Sequence, residues 1–218
     1  MSKTKKGEQP FYKRNLPHWQ PNNVVLFITA RLDGSLPKWR IQELKERMEG
    51  ERLLLKNKGL TKDQLANELK RHFDLYFGKF DQLLDGSTTG PHWLKEDVIA
   101  YIWTNALEYF DGKRYQLICS TVMSNHVHFI FHHLKYSLSK TMHSLKSYTG
   151  SESNKVLKRK GKKFWQYESF DRMIRDTEEL EYRINYVINN PVEAGLIANW
   201  KEWKYNYIHP DYLSFVKE

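Results

Sequence analysis

The sequence predicts an α+β fold, a ferredoxin-like sandwich in which helices pack on an antiparallel sheet. Outside residues 38–85, the predicted elements run strand, helix, strand, strand, helix, strand, helix, which is the split β-α-β pattern. The 218 residues show no internal repeat, and 40% of them are hydrophobic, enough for one packed core. We therefore expect a single domain over residues 1–218, with a basic N-terminal arm over 1–22 and a helical insertion over 38–95 after the first strand.

The first half of the chain predicts one strand and three helices. Residues 24–32, VVLFITARL, are rich in β-branched and aromatic side chains and precede the turn residues DGS, as a strand does. Thr61, with Gln64 three residues later, has the pattern of a capping box at a helix start. Two prolines exclude a helix from residues 11–23. The helices are predicted over residues 37–58, 61–86 and 95–110.

The second half predicts a strand pair, a basic helix, a strand and a last helix. The strand pair covers 113–122 and 126–132, joined by a tight Ser124-Asn125 connection. The last helix begins at Asp176, carries Glu179 at the capping-box position and is expected to stop at Pro191. The remaining helix and strand are predicted over 137–158 and 170–175.

Composition favours a basic, nucleic-acid-binding protein. The net charge is +9, from 35 Lys and Arg against 26 Asp and Glu, which favours a polyanionic partner. Seven Trp and thirteen Tyr offer stacking surfaces for single-stranded nucleic acid. No apolar run is long enough to cross a bilayer, and the first ten residues lack the apolar core of a signal peptide. Cys119 is the only cysteine, so it forms no intramolecular disulfide, which fits the cytosol, and we expect it to be a small buried side chain.

Two pairs of side chains predict a metal-assisted reaction. His126 and His128 are two residues apart on a strand and therefore point to the same face, where two neutral imidazoles can bind a divalent cation. Tyr186 and Asn190 are four residues apart on one helix face. The Asn190 amide oxygen would complete a nitrogen and oxygen ligand set that suits Mg²⁺ or Mn²⁺. Tyr186 would then lie beside the metal, where a nucleophile is needed.

Each of these features also has a purely structural interpretation. A His-x-His pair in a strand is more often structural than a ligand pair. A tyrosine on an amphipathic helix is usually part of the core, and an asparagine before proline usually caps or turns the chain. The chemical interpretation depends on the four residues occurring together.

The motifs resemble those of one known family. VMSNHVHFIF (residues 122–131) resembles the HUH motif of single-tyrosine transposases, and FDRMIRDTEELEYRINYVINNPVEAGLI (170–197) resembles their nucleophile helix. The match is best for the REP-associated tyrosine transposases, and NLPHW, FITARLDGSLP, HSLKSYTG and FWQ follow the same group. The resemblance covers about residues 11–37 and 96–207. The sequence departs from the family at Ser124, where proline is common, and at Ser169, where an aromatic residue is common.

The resemblance implies a metal-dependent single-stranded DNA endonuclease and strand transferase, a transposase acting on hairpin-forming repeat DNA. It implies that Tyr186 is the nucleophile, forming a 5′-phosphotyrosine, and that His126, His128 and Asn190 bind Mg²⁺ or Mn²⁺. We expect a monomer or homodimer in the bacterial cytoplasm, associated with the nucleoid, and no contact with membrane. DNA contacts are expected from Lys13, Arg14, His18, Trp19, Arg31, Lys146 and Arg172.

Two other functions are considered. A domesticated, sequence-specific DNA-binding protein without nuclease activity would use the same surface, but such a protein usually loses at least one site residue, and all four are present. A cyclic-phosphodiesterase-like enzyme would need two His-x-Ser/Thr motifs, and the sequence has no such pair. Neither interpretation assigns a role to residues 38–95.

Overall fold

The computed structural model describes residues 11–13, 17–19, 24–133 and 136–217, with only the backbone described for 11–13, 17–19 and His133. The chain divides into two compact units. The first combines residues 1–33 with 93–218, and the second is residues 34–92. Among the described residues, no helix is both long enough and apolar enough to cross a membrane.

The first unit contains all the strands of the described chain. They are β1 (Phe11–Lys13), β2 (Pro17–Trp19), β3 (Val25–Arg31), β4 (Tyr115–Val122), β5 (His126–His133), β6 (Phe170–Ile174) and β7 (Tyr207–Ile208). The first two form a short antiparallel hairpin, and the other five form an antiparallel sheet in the order β6-β3-β5-β4-β7. Short 3₁₀ helices cover Trp93–Lys95, Trp200–Glu202 and Pro210–Phe215.

Helices cover both faces of this sheet. On one face, α3 (Asp97–Phe110) and α4 (Leu138–Val156) pack over the buried side chains Val127, Phe129 and Phe131 of β5. On the other face, α5 (Thr177–Glu193) packs across β4 and β5 and buries Ile184, Val187 and Ile188. Because β5 is central and covered on both faces, its sequence is almost continuously apolar apart from the histidines. This arrangement places His126 and His128 under α5.

The second unit contains two helices, α1 (Lys38–Lys56) and α2 (Lys62–Asp85), which pack against each other. The His72 ring joins them, with Nε2 2.9 Å from the Met48 carbonyl oxygen and Nδ1 3.3 Å from a Glu51 carboxylate oxygen. The capping box predicted at Thr61 is present, with the Gln64 backbone N–H donating to the Thr61 hydroxyl.

The predicted fold class is confirmed, including the order of elements and the helices after the strand at residues 24–32. Cys119 is buried, as expected, and burial raises the pKa of its thiol. Two features were not predicted, the β1–β2 hairpin and the edge strand β7. The division of the chain into one domain with an arm and an insertion stays a prediction.

The last helix corrects two expectations. The helix does not stop at Pro191 but continues to Glu193, because a proline in the final turn removes only one backbone hydrogen bond and the last carbonyls still accept from residues 194–196. Asp176 caps the helix as predicted, accepting from the Glu179 N–H at 2.8 Å. The Glu179 carboxylate, however, forms an ion pair with Arg172 at 2.6 Å.

Candidate active site

Two imidazoles lie side by side in the middle of the sheet. The His126 and His128 rings are fully buried, and their Nε2 atoms are 3.0 Å apart. Antiparallel pairing places Arg31 opposite His126 and Thr29 opposite His128 on β3. The strand spacing therefore brings the rings to one face, as the sequence predicts.

The Nδ1 atom of each ring forms a hydrogen bond with a neighbouring side chain, which orients the ring. His126 Nδ1 is 2.7 Å from the amide oxygen of Asn125, which accepts the ring N–H. His128 Nδ1 is 2.8 Å from the Thr29 hydroxyl. A metal-binding histidine is typically oriented in this way, with the second ring nitrogen hydrogen-bonded to a neighbouring group.

Both imidazoles are neutral at pH 7. Burial lowers the pKa of His126 to about 3. Burial also lowers the pKa of His128 well below its usual range, and the positive charges of His126, when protonated, and Arg183 lower it further. A neutral imidazole has the lone pair that a cation requires, so these rings can bind a metal without first losing a proton.

The lowered pKa values predict a stability that falls with acidification. The unfolded chain binds a proton at each histidine near pH 6.5, whereas native His126 stays neutral down to about pH 3. The free energy of unfolding should therefore fall below pH 6.5, with a slope approaching about 1.4 kcal/mol per pH unit for each buried imidazole. Urea unfolding at pH 7 and pH 5 measures this loss, and a variant with both histidines replaced by glutamine should show much less of it. Equal stability of the native chain at both pH values would contradict it.

The α5 helix carries Tyr186 and Asn190 and packs on the face of the sheet that contains His126 and His128. The Tyr186 ring, half-buried, packs edge-on against His128 with centroids 5.6 Å apart and against Phe27 with centroids 6.1 Å apart. Asn190, one turn later, is buried, and its Oδ1 has no hydrogen-bond partner among the residues that the structure describes. The structure thus brings the Tyr186 ring against His128, and the catalytic role of Tyr186 stays a prediction.

The geometry fits a divalent cation. Two ligands at about 2.1 Å from a metal and at right angles to each other are about 3 Å apart, which matches the separation of the two Nε2 atoms. A buried oxygen without a hydrogen bond costs about 1–3 kcal/mol, so the Asn190 amide oxygen would gain from a ligand at this face. The group can hold a metal, and its mixture of nitrogen and oxygen atoms leaves the identity of that metal open.

Three residues of this site were not predicted from the sequence. Thr29 could be found only from the pairing of β3 with β5, which the sequence does not reveal. Asn125 was interpreted solely as a turn residue. Arg183 is buried, with its guanidinium 5.4 Å from the Phe27 ring centroid, and it precedes Tyr186 by three residues. Helical spacing alone could have identified Arg183 as a neighbour of the tyrosine.

Two predicted DNA contacts have protein partners in this structure. The Lys146 ammonium group donates to the backbone carbonyls of Gln166 at 2.8 Å and Tyr167 at 3.2 Å. Arg172 forms the largely buried ion pair with Glu179 that ties β6 to the start of α5. In this structure both cations hold the fold together, and their contact with DNA stays a prediction.

The other predicted contacts are only partly described. Arg31 is buried at the end of β3, where its carbonyl accepts from the Gln166 N–H at 2.9 Å. The backbone of Lys13, His18 and Trp19 lies in the β1–β2 hairpin, and their side chains fall outside the described residues, as does all of Arg14. The roles of these four residues in binding DNA stay predictions.

Comparison with known proteins points to one family. Residues 91–190 match the family model described as Transposase IS200 like. A curated Haemophilus influenzae protein named as a REP-associated tyrosine transposase is 34% identical over 47 residues, which are 22% of this chain and 27% of that protein. The chain thus covers about a quarter of that relative. A solved structure of a REP-associated tyrosine transposase bound to a REP hairpin has a similar fold, with a TM-score of 0.55 and 13% identity over 95% of this chain and 87% of that one. Residues 91–190, which contain both histidines, Tyr186 and Asn190, thus match the IS200-like transposase family model, and the predicted resemblance of the chain to REP-associated tyrosine transposases is confirmed.

Proposed function

We propose that this chain is a metal-dependent endonuclease and strand transferase for single-stranded DNA, with Tyr186 as the nucleophile. The observation that carries the proposal is the contact of the Tyr186 ring with His128, one of two neutral imidazoles whose Nε2 atoms lie 3.0 Å apart. A phenol beside a cation-binding pair is the arrangement that phosphoryl transfer to tyrosine requires. The match of residues 91–190 to a transposase family model supports DNA as the substrate.

The reaction exchanges one phosphate ester for another. The Tyr186 phenol loses its proton, and its oxygen attacks the phosphorus of a phosphodiester. The bond from phosphorus to the 3′ oxygen breaks, and that oxygen takes up a proton to become a 3′-OH. The downstream strand stays attached to Tyr186 through its 5′ phosphate. Attack by a different 3′-OH on this phosphotyrosine releases Tyr186 and joins the strands, so no ATP is needed.

The side chains around Tyr186 have separable roles in this proposal. His126 and His128 would hold the cation through Nε2, with the Asn190 amide oxygen as the third protein ligand. A bound Mg²⁺ or Mn²⁺ would supply charge stabilisation at the phosphoryl oxygen and the leaving oxygen. The buried guanidinium of Arg183 adds a fixed positive charge one turn before Tyr186, where it would help to hold the anionic phosphodiester.

A basic groove on the other face of the sheet supports nucleic acid as the partner. It has a volume of about 890 Å³ and lies between α4 and residues 160–171. Its floor includes core residues Ile28 and Leu138, which places it on the face opposite the imidazoles. Tyr167 lines it with 67% of its surface exposed, as a base-stacking side chain would. The lysines that line it are Lys140, Lys146, Lys155, Lys160 and Lys162, against the acidic Glu168 and Asp171.

The wall of this groove is fixed to α4 by side chains. The Lys146 ammonium group donates hydrogen bonds to the backbone carbonyls of residues 166 and 167. Asn154 donates to the Lys162 carbonyl at 2.7 Å, and the Trp165 indole N–H donates to the Thr149 hydroxyl at 2.8 Å. A preformed basic groove binds a phosphate backbone without the cost of ordering a loop. We propose that it holds the DNA that flanks the cleaved phosphate.

The groove makes a prediction about salt dependence. Replacing Lys140, Lys160 and Lys162, all exposed, by glutamine should weaken DNA binding by about tenfold or more at low salt and lower the salt slope by up to about 3. Gel-shift titrations at several salt concentrations measure both effects. The matched control replaces Lys95, Lys113 and Lys201, which are exposed and do not line the groove. If the two triple variants lost DNA affinity equally, binding would depend only on nonspecific charge, and the proposal that the groove binds DNA would be contradicted.

We also propose that the DNA is a hairpin with a single-stranded flank. Cleavage needs a backbone that is not held in a regular duplex, and the structural relative is bound to a REP hairpin. Hairpin DNA should therefore bind more tightly than linear single strand or plain duplex, and deleting residues 1–20 should weaken hairpin binding more than metal binding. Such an enzyme would work in the cytoplasm beside the nucleoid, and its state as monomer or homodimer stays a prediction.

The function is tested with hairpin DNA labelled at one end or the other and incubated with Mn²⁺. The label on the 3′ side of the cut should become covalently attached to protein, while the 5′ fragment leaves with a 3′-OH. If the protein bound both labelled hairpins but neither cut them nor became attached to them, the alternative function, a DNA-binding protein without nuclease activity, would be favoured.

A further inference from the structure

The compact unit of residues 34–92 has a groove between its two helices. The residues that line it from α2 recur at i, i+3, i+4 and i+7, a spacing that places them on one face of that helix. The residues on the α1 side have the same spacing, and the last of them lies just past the helix end. The hairpin groove consists of Glu51, Leu54, Leu55 and Lys58 on the α1 side and Glu68, Arg71, His72 and Leu75 on α2.

The floor of the hairpin groove is apolar and open to solvent. Leu54 is 66% exposed and Leu75 is 53% exposed. The α1 helix carries seven large apolar side chains in 19 residues, yet the described part of the chain buries none of them. Because a helix in a globular protein is stabilised mainly by burying one apolar face, this unit has apolar surface left for a further contact.

The rim of the hairpin groove carries both signs of charge. Glu51 and Glu68 stand against Lys58 and Arg71, so these four side chains add no net charge. Glu51 pairs with Arg47 at 3.0 Å, whereas Lys58, Glu68 and Arg71 have no ion-pair partner among the described residues. A rim without net charge does not attract a polyanion, so this surface is unsuited to a DNA backbone.

The size and the charges of the hairpin groove fit a second copy of this chain. Its volume of about 240 Å³ lies below the range of roughly 300–1,000 Å³ that small-molecule sites have, but it can accept apolar side chains. Glu68 and Arg71 lie one turn apart on the same face of α2. If two α2 helices cross antiparallel about a two-fold axis between these positions, each Glu68 faces Arg71 of the other copy. The surface is therefore complementary to itself.

We propose that the hairpin groove is the interface of a homodimer, in which α1 and α2 of two copies pack as a four-helix bundle. Leu54 and Leu75 become buried between the copies, as the inner positions of such bundles are. The ion pairs between Glu68 and Arg71 of opposite copies set the orientation of the two hairpins. This inference concerns residues 34–92 alone and does not depend on the nuclease reaction, so either can fail without the other.

The first test measures the mass of the full chain without DNA by sedimentation. The native chain should form dimers with a dissociation constant of about 10 µM or lower. Replacing Leu54 and Leu75 by glutamine should raise that constant by about tenfold or more. Leu53→Gln is the matched control, because Leu53 is 50% exposed but does not line the groove, and it should leave the constant unchanged. A native chain that is monomeric at about 100 µM, or an equal loss in Leu53→Gln, would overturn the proposal.

The second test reverses the rim charges. Glu68→Arg leaves two positive charges at these positions and Arg71→Glu leaves two negative ones, so each variant alone should dimerise about tenfold more weakly or worse. A mixture of the two variants should form a heterodimer with near-native affinity, because like charges then face opposite charges. This rescue also shows that both variants are folded. Native dimerisation of each variant alone, or a mixture that forms no heterodimer, would overturn the proposal.

Discussion

Tyr186→Phe is expected to form no covalent DNA adduct and to lose cleavage by at least about a thousandfold. The change removes one oxygen atom, which is the nucleophile. The phenyl ring keeps its contacts with His128 and Phe27, so the fold and the imidazole pair are unchanged. DNA binding should survive because the basic groove lies on the other face of the sheet. Cleavage of labelled hairpin DNA and gel-shift titration, run on the same preparation, separate the two effects.

Tyr182 provides the control for this prediction. It lies one turn earlier on α5, and 62% of its surface is exposed. Tyr182→Phe should cleave at the native rate, because its ring does not pack on the imidazole pair among the described contacts. If Tyr186→Phe cleaved normally and Tyr182→Phe did not, the nucleophile would be Tyr182.

His126→Ala and His128→Ala are each expected to lose most of the metal affinity, and cleavage by about a hundredfold or more. The native chain in EDTA should behave in the same way. Asn190→Ala should lose less metal affinity and less cleavage than the histidine variants, because water can replace an amide oxygen around a hard cation. Calorimetric titration with Mn²⁺ and the hairpin cleavage assay measure the two losses.

An exposed histidine on α4 is the matched control for the imidazole pair. His143→Ala removes the same ring from an exposed position that lines the basic groove and not the imidazole site, so it should leave the metal affinity unchanged. Undiminished cleavage in EDTA would contradict the proposal that the reaction depends on a divalent metal, whatever the histidine variants showed.

The sequence predicted those parts of the site that depend on local spacing. A period of two placed His126 and His128 on one face, and a spacing of four placed Tyr186 and Asn190 on one helix face. Thr29 is 99 residues from His128, and only the register of β3 against β5 brings them together. No local pattern carries that register, so the group that orients His128 could not be predicted.

The fold shows the same distinction between local and distant interactions. The long strands and helices have clear periodicity and were predicted, whereas β7 has two residues, too few for any pattern. Lys146 and Arg172 were interpreted as DNA contacts from charge alone. Their partners in this structure, two backbone carbonyls and Glu179, are visible only after the chain has folded.

The most direct measurement of the central claim is the position of the DNA on the protein. Mass spectrometry after nuclease and trypsin digestion of the covalent adduct can locate it, because trypsin cuts after Arg183 and Lys201. The peptide 184–201 then contains Tyr186 as its only tyrosine and is separated from Tyr182. We predict a nucleotide linked through its 5′ phosphate to Tyr186 in this peptide. An adduct on another residue, or DNA cut with no protein attached to the 5′ phosphate, would contradict the account.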